Sequence, residues 1–408
     1  MRILAAEAMR MWRVAITAAG VAAALLPLPS CAQMAPPPTP TATFDDAASR
    51  SGVPFEIFRD SRLFLPVTVN GHAAVALLDT GAGITTVDAA FARSAGLLAA
   101  GSAGQASVSG MQMQLVSNVT VASGGQTLGG LTVAVADLSA TAQTIGHPVQ
   151  MILGREAFDQ AVVDIDFASA TLHFSAPAGF SPPSGAARLP VSETTPGQRG
   201  VPVSVEGRPP VMADIDLGNG MPFLVSADYA ASARLLEGRP VSSVMASGLG
   251  GPSKRGLTTL AAISVGGFQL GGVPAMVNRS ADEMPVRDVN IGFGVLSRFH
   301  LVFDYPQSAL FLSPDPKRFA LPFTHDRAGL RTSLIGARLR VTSISDGSPA
   351  AQAGWRPGEE IVAVNDHPIA PDFYATPEAN WASGPAGTTV KLTLATGEAR
   401  TLTLADYY

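Results

Sequence analysis

Leu77-Leu78-Asp79-Thr80-Gly81-Ala82-Gly83-Ile84 returns, altered, as Asp214-Ile215-Asp216-Leu217-Gly218-Asn219-Gly220-Met221. Each copy is an apolar strand running into an Asp-x-Gly turn. A second motif follows each. Ile152-Leu153-Gly154 stands 75 residues after Asp79, and Asn290-Ile291-Gly292 stands 76 after Asp216. Twelve residues past these glycines come Asp166-Phe167 and Asp304-Tyr305, each at the bend of a predicted two-strand hairpin. Two motif pairs related by one offset mark an internal duplication, the signature of two lobes built on one plan.

Composition agrees with a β-rich chain. Of 408 residues, 41 are Gly and 32 Pro, and 47% are hydrophobic, which supplies turns and enough apolar mass for real cores. Asn70-Gly71, between the runs Leu65–Val69 and Ala73–Leu78, is a two-residue hairpin signal. Pro66 marks the first of those runs as an edge strand. The segments 107–111 and 245–249 read as matching hairpin tips, the first placed to fold over a bound substrate. The net charge of −5 without a basic block argues against a nucleic-acid partner. A single cysteine, Cys31, excludes internal disulfides and thiolate zinc sites, and the six histidines lack metal-ligand spacing. No metal and no cofactor is expected.

An Asp-Thr-Gly turn places a carboxylate where glycine lets a second backbone approach closely. The Thr hydroxyl is able to bond across to a partner loop. If two such loops face each other, their carboxylates cannot both ionise and must share a proton. The ionised member activates water while the protonated one polarises a carbonyl, the acid–base pair that peptide hydrolysis requires.

The run Leu78-Asp79-Thr80-Gly81-Ala82 followed by Ile152-Leu153-Gly154-Arg155 resembles the retropepsin-like aspartic protease pattern. The resemblance implies a mainly β fold, with two retropepsin-like β-barrel lobes forming a bilobed aspartic protease. Lobe 1 is taken as 52–185 and lobe 2 as 186–316. Asp79 and Asp216 are then the catalytic carboxylates of an endopeptidase acting on a protein or peptide. Thr80, Gly81, Ala82 and Gly218 support the loops, and Gly154 and Gly292 pack behind them. Leu217 departs from the pattern where Thr or Ser is expected, and it cannot donate the cross-loop bond. Three readings stay open: an Asp79/Asp216 dyad within one chain, Asp79 pairing with Asp79 of a second copy, or a cleft that binds peptides without cutting them.

Two further segments flank the repeat. Arg10 and Arg13 precede the apolar run Val14–Leu28 and then Pro29-Ser30-Cys31-Ala32, the parts of an export signal over 1–32. Such a signal implies a periplasmic or cell-envelope location in a bacterium. Ser30-Cys31-Ala32 offers simple cleavage, whereas Leu28-Pro29-Ser30-Cys31 resembles a lipobox that would put a lipid anchor on Cys31. The Pro-, Thr- and Ala-rich stretch 33–51 reads as a linker. After residue 322 the order Gly347-Ser348-Pro349-Ala350-Ala351, Ala353-Gly354, Pro357-Gly358 and Ile361–Asn365 resembles a bacterial PDZ domain, a small α+β module over 324–405. That resemblance implies a carboxylate-binding loop at Ala328, Gly329 and Leu330 that holds a peptide C-terminus, with Arg327 adding charge.

Overall fold

A computed structural model of the chain describes residues 40–100, 104–108, 111–195, 197–248, 251–279 and 287–408. The export signal expected over 1–32 and the alternative lipid site at Cys31 lie outside the described residues, as do 109–110 of the predicted hairpin tip 107–111 and 249 of the tip 245–249. The rest of these tips is strand, Gly104–Val108 paired with Met111–Ser123 and Ser242–Gly248 paired with Gly251–Val265. No helix among the described residues is long and apolar enough to cross a membrane.

Lobe 1 begins with a hairpin. Strand Arg62–Val69 buries alternate residues from Leu65 onward and pairs with His72–Leu78 across Asn70-Gly71. Both turn residues have positive φ, as the tight turn that matches strand twist demands. The sheet continues through Met151–Leu153, Thr86–Asp88, Gln126–Ala136 and Met111–Ser123, which returns to Arg62–Val69 at Thr68↔Ala122. That closes a six-stranded barrel and removes its free edges. Pro66 is not on a simple edge as its chemistry suggests. It sits in a gap between two partial neighbours, Glu56–Phe58 against Arg62–Phe64 and Val121–Ala122 against Thr68–Val69, where a missing N–H leaves no ladder bond unmade.

Lobe 2 repeats this closure strand for strand. Its order is Arg199–Val205, Val211–Asp216, Val289–Gly292, Phe223–Val225, Phe268–Val277 and Gly251–Val265, closing at Val203↔Val265. In both lobes the Asp-bearing strand runs parallel to the x-apolar-Gly strand, with Leu77↔Ile152 in one and Ile215↔Ile291 in the other. The two motifs 75 or 76 residues apart are therefore hydrogen-bonded neighbours.

The repeated hairpins do more than finish each lobe. Val162–Asp166 pairs antiparallel with Phe299–Asp304, Val163 opposite Phe303, so both hairpins join in one six-stranded sheet under the two barrels. His300 Nε2 lies 2.6 Å from Asp164 Oδ1 across that seam, and this bond raises the imidazole pKa. A single apolar cluster containing Leu78, Phe158, Phe174, Leu217, Phe293 and Phe303 runs through both lobes and the shared sheet. The lobes are thus fastened at their base, which fixes the relation of their upper loops.

Residues 41–51, expected to be linker, are structured. Thr41–Phe44 pairs with Gln126–Gly129, and helix Asp46–Ser51 is capped by Asp45, whose carboxylate accepts the Ala47 and Ala48 amides. The low apolar content of this stretch hid an edge strand whose partner supplies the hydrogen bonds.

The C-terminal module has its own core, including Leu339, Trp355, Ile361, Leu392 and Leu402. Ser348 caps helix Pro349–Gln352 through the Ala351 amide, as the Gly-Ser-Pro-Ala-Ala order predicts. The module rests on lobe 2. Lys254 Nζ pairs with Asp346 at 2.8 Å, Ser242 Oγ donates to the Asp346 carbonyl, and Tyr407 and Tyr408 pack against Leu257 and Met276.

Candidate active site

Asp79 and Asp216 end equivalent strands, and the barrels bring their loops face to face. The two carboxyl groups lie within hydrogen-bonding reach of each other. The glycines explain how the loops approach so closely. A Cβ on Gly81 would stand 2.7 Å from Asp216 Cγ, and one on Gly218 would overlap the Asp79 carboxylate. Each glycine therefore floors the other lobe's acid. Thr80, almost fully buried, locks the loops together. Its Oγ1 donates to the Ile215 carbonyl at 2.9 Å and accepts the Leu217 amide at 2.9 Å.

Leu217 cannot return that pair of bonds. Its side chain turns fully into the apolar core shared by the lobes, so the missing hydroxyl is replaced by packing and the loops are not pushed apart. Between the two Asp-x-Gly turns, both of these side-chain bonds come from Thr80. Thr80→Val leaves a buried amide and a buried carbonyl without partners and is expected to lower unfolding free energy by about 2–4 kcal/mol. Chemical denaturation of the two proteins measures it.

Behind each loop lies the predicted glycine. The Arg155 amide donates to the Ala82 carbonyl, and the Phe293 amide donates to the matching Asn219 carbonyl. A Cβ on Gly154 would come 2.8 Å from the Ala82 carbonyl oxygen, and one on Gly292 would overlap the Met221 carbonyl. Sequence reasoning missed what else holds these loops. In lobe 1 the Glu156 carboxylate accepts both the Thr85 amide and hydroxyl at 2.9 Å, and Thr85 Oγ1 accepts the Gly154 amide. Gln198 reaches over from lobe 2 to donate to the Gly81 carbonyl at 2.7 Å. In lobe 2 two asparagines do the equivalent work. Asn219 Nδ2 donates to Asn290 Oδ1, and Asn290 Nδ2 donates to Asp216 Oδ2, each at 2.9 Å. The signal was present in the sequence as two of the places where lobe 2 breaks the repeat: Asn219 for Ala82 and Asn290 for Ile152.

These differences make the pair unsymmetrical. Asp216 receives the Asn219 amide on Oδ1 and the Asn290 side chain on Oδ2, both at 2.9 Å. Asp79 receives one donor, the Gly81 amide at 2.8 Å. Burial and the neighbouring Asp216 push the Asp79 carboxyl up to about 8, against the opposing pull of the Gly81 amide and Arg62. Donors favour charge where they point. The donors therefore converge on Asp216, while burial and the facing carboxyl favour the protonated form of Asp79. Asp214, two residues earlier, is buried beside the Thr194 hydroxyl, and burial raises it to about 6. Its carboxylate accepts the Thr194 hydroxyl, and no hydrogen bond found among the described residues joins it to Asp79 or Asp216.

Among the described residues no group of three or more His, Cys, Asp or Glu side chains that could hold a metal ion occurs. A cavity of about 620 Å³ beside helix Ala227–Ser232, bordered by Ser242 and Asp346, contains none of these groups.

In the C-terminal module the expected carboxylate loop is already engaged. The amides of Ala328 and Gly329 donate to Asp326 Oδ1 at 2.9 and 3.0 Å, and Leu330 is buried. Tyr407 donates its hydroxyl to Asp326 Oδ2. Arg327 pairs with Asp406 at 2.6 Å. An internal carboxylate thus occupies amides that the resemblance assigned to a peptide terminus.

Comparison with known families matches this geometry. An aspartyl protease family model matches residues 65–157 and again 201–295, and a PDZ domain model matches 340–396. A search of curated proteins finds no match to the chain. Each aspartyl protease match spans one Asp-x-Gly loop and the glycine motif paired to it. The chain thus carries, in tandem, two regions that match the aspartyl protease family model and then one that matches the PDZ domain model.

Proposed function

We propose that the protein is an aspartic endopeptidase using an Asp79/Asp216 dyad within one chain. The observation that carries this reading is the reciprocal seating of each carboxylate on the other lobe's glycine, with Thr80 tying the loops together. Asp216, held as the anion by Asn219 and Asn290, takes a proton from a water lying between the acids. Asp79 gives its proton toward the carbonyl oxygen of the scissile peptide as the water oxygen bonds to carbon. As the tetrahedral diol collapses, Asp216 gives its proton to the nitrogen while the C–N bond breaks, and Asp79 takes back a proton from a diol hydroxyl as the new carbonyl forms, which restores the pair. Both cleft acids start on one chain, which favours this reading over pairing of Asp79 between copies. The PDZ domain acts on peptides or on access to the cleft, with its loop held by Asp326 until a stronger carboxylate displaces it.

The test is digestion of a peptide library by the full chain between pH 3 and 9. Catalysis needs one proton on the pair, so activity falls as pH rises through about 8, where Asp79 loses it. Cleavage that keeps rising past pH 9 contradicts the dyad. No cleavage at any pH favours a peptide-binding cleft instead.

A further inference from the structure

One cation at the dyad has no counterpart in the chemistry above. Arg62 opens strand Arg62–Val69 in lobe 1, yet its guanidinium lies against Gly220 of lobe 2, four residues past Asp216. A Cβ there would overlap Nη1. The charges of both Asp216 and Asp79 reach it. Neither forms an ion pair with it within 4.0 Å; Gly81 engages Asp79 Oδ1, and Asn219 and Asn290 engage both oxygens of Asp216. Nη1 donates to the Ser61 carbonyl at 2.7 Å, while Nε is buried with no hydrogen-bond partner. A buried guanidinium donor without an acceptor is costly, and a carboxylate is the acceptor whose shape fits a guanidinium edge.

The surroundings add positive charge. Arg331, on the first strand of the PDZ domain, is close enough for its charge to lower the Arg62 pKa, and Arg59 acts on Arg331 in turn. Arg59 itself stacks over the Tyr374 ring at 4.1 Å. The nearby Asp326 is committed to the Ala328 and Gly329 amides. Arg62, Arg331 and Arg59 are thus linked by charge across the two domains, and Asp326 beside them is already bonded to loop amides.

We propose that Arg62, backed by Arg331, is a carboxylate-binding subsite that selects peptides with an acidic group close to the scissile bond. This deepens the protease reading and rests on it. The carboxylate is supplied by an Asp or Glu side chain or by the peptide's own C-terminus. Arg62 is a specificity residue here, since it touches substrate and leaves the proton transfers to the acids.

The experiment uses the full chain and three matched peptides: one with Glu beside the cleaved bond, its Gln analogue, and the Gln analogue with its free C-terminus moved next to that bond, each also made amidated. Wild type is expected to cleave the Glu peptide about 10–100-fold more efficiently in kcat/KM than the Gln peptide. Arg62→Gln is expected to bring that ratio to about 1, and Arg62→Lys to keep an intermediate ratio. Arg331 is exposed, so Arg331→Gln tests the subsite without touching packing, and a ratio reduced several-fold is expected. A preference that follows only the free terminus assigns the subsite to chain ends. Cleavage with no acidic preference, or a preference that survives in both arginine variants, overturns the proposal and leaves the protease reading standing. If no peptide is cut, the protease reading has failed. Fluorescence anisotropy of labelled Glu and Gln peptides then decides the subsite alone: tighter Glu binding lost in Arg62→Gln supports it, and equal binding overturns it.

Discussion

Asp79→Asn and Asp216→Asn are each expected to lower peptide cleavage by about 10²–10⁴-fold, the range set by removing a general acid or base from its transition state. Neither asparagine shares a proton with the remaining acid, so either change stops the cycle. Equal loss in both variants is the expected outcome, because each acid takes a different step. Loss in Asp79→Asn with activity kept in Asp216→Asn would sink the single-chain dyad and favour pairing between copies. A stability measurement separates lost chemistry from a lost fold. The Asp79 pKa is raised in the folded protein to about 8 from an ordinary carboxylate value near 4. The folded state therefore holds this proton more tightly than the unfolded chain. The sign follows: wild type loses stability as pH rises from about 4 to 8, and the cost is complete above that range. Asn carries no such cost. Asp79→Asn is expected to melt higher than wild type at pH 8 and to show no advantage at pH 4. A carboxyl held in its uncommon protonation state by burial commonly costs stability in this way.

How the repeat was legible has a physical reason. A tight turn between closely packed backbones restricts residue type at the turn itself, so Asp79-Thr80-Gly81 and Asp216-Leu217-Gly218 keep their pattern even as the lobes diverge. The glycines at 154 and 292 keep theirs because backbone carbonyls occupy the space a side chain would need. Thr80 was legible for the same reason, as was its missing partner at 217. What the substitution at 217 does was not legible. A leucine lacks the hydroxyl, but only the three-dimensional core shows that its side chain is swallowed and the loops stay together.

Other groups depend on contacts far apart in sequence. Arg62 precedes Asp79 by 17 residues in an ordinary strand, and nothing local distinguishes it from a solvated arginine. It becomes informative only when lobe 2 brings Gly220 against it. Gln198 on Gly81 and Asp326 in the PDZ loop are similar cases. The strand at Thr41–Phe44 was hidden because its four residues carry little burial of their own and borrow a ladder from Gln126–Gly129. The meeting of the two hairpins, Val162–Asp166 on Phe299–Asp304, follows from the duplication. Two copies of one edge, related by a twofold, satisfy each other's unpaired groups.

Gly218→Ala tests whether the approach of the loops, more than the presence of the acids, sets the chemistry. The backbone at Gly218 has no positive φ, so alanine is allowed there and a loss cannot be assigned to backbone strain. The added methyl falls on the Asp79 carboxylate and must drive it from its place opposite Asp216. A displacement of about 1 Å at a reacting group costs on the order of 10²-fold in rate, and that is the expected fall in kcat/KM. Overpacking of this kind costs roughly 1–3 kcal/mol of stability, so the variant remains folded. A second readout follows from the electrostatics. Asp216 is a leading cause of the raised Asp79 pKa, second only to burial. Moving the acids apart weakens that repulsion, so the alkaline limit of the residual activity shifts to lower pH. Gly83→Ala is the control. It lies in the same loop, also without positive φ, and its Cβ would have no neighbour within 4 Å, so activity stays within about twofold of wild type. Full activity in Gly218→Ala would mean that the loops have room to spare, and the shared proton would no longer follow from their geometry.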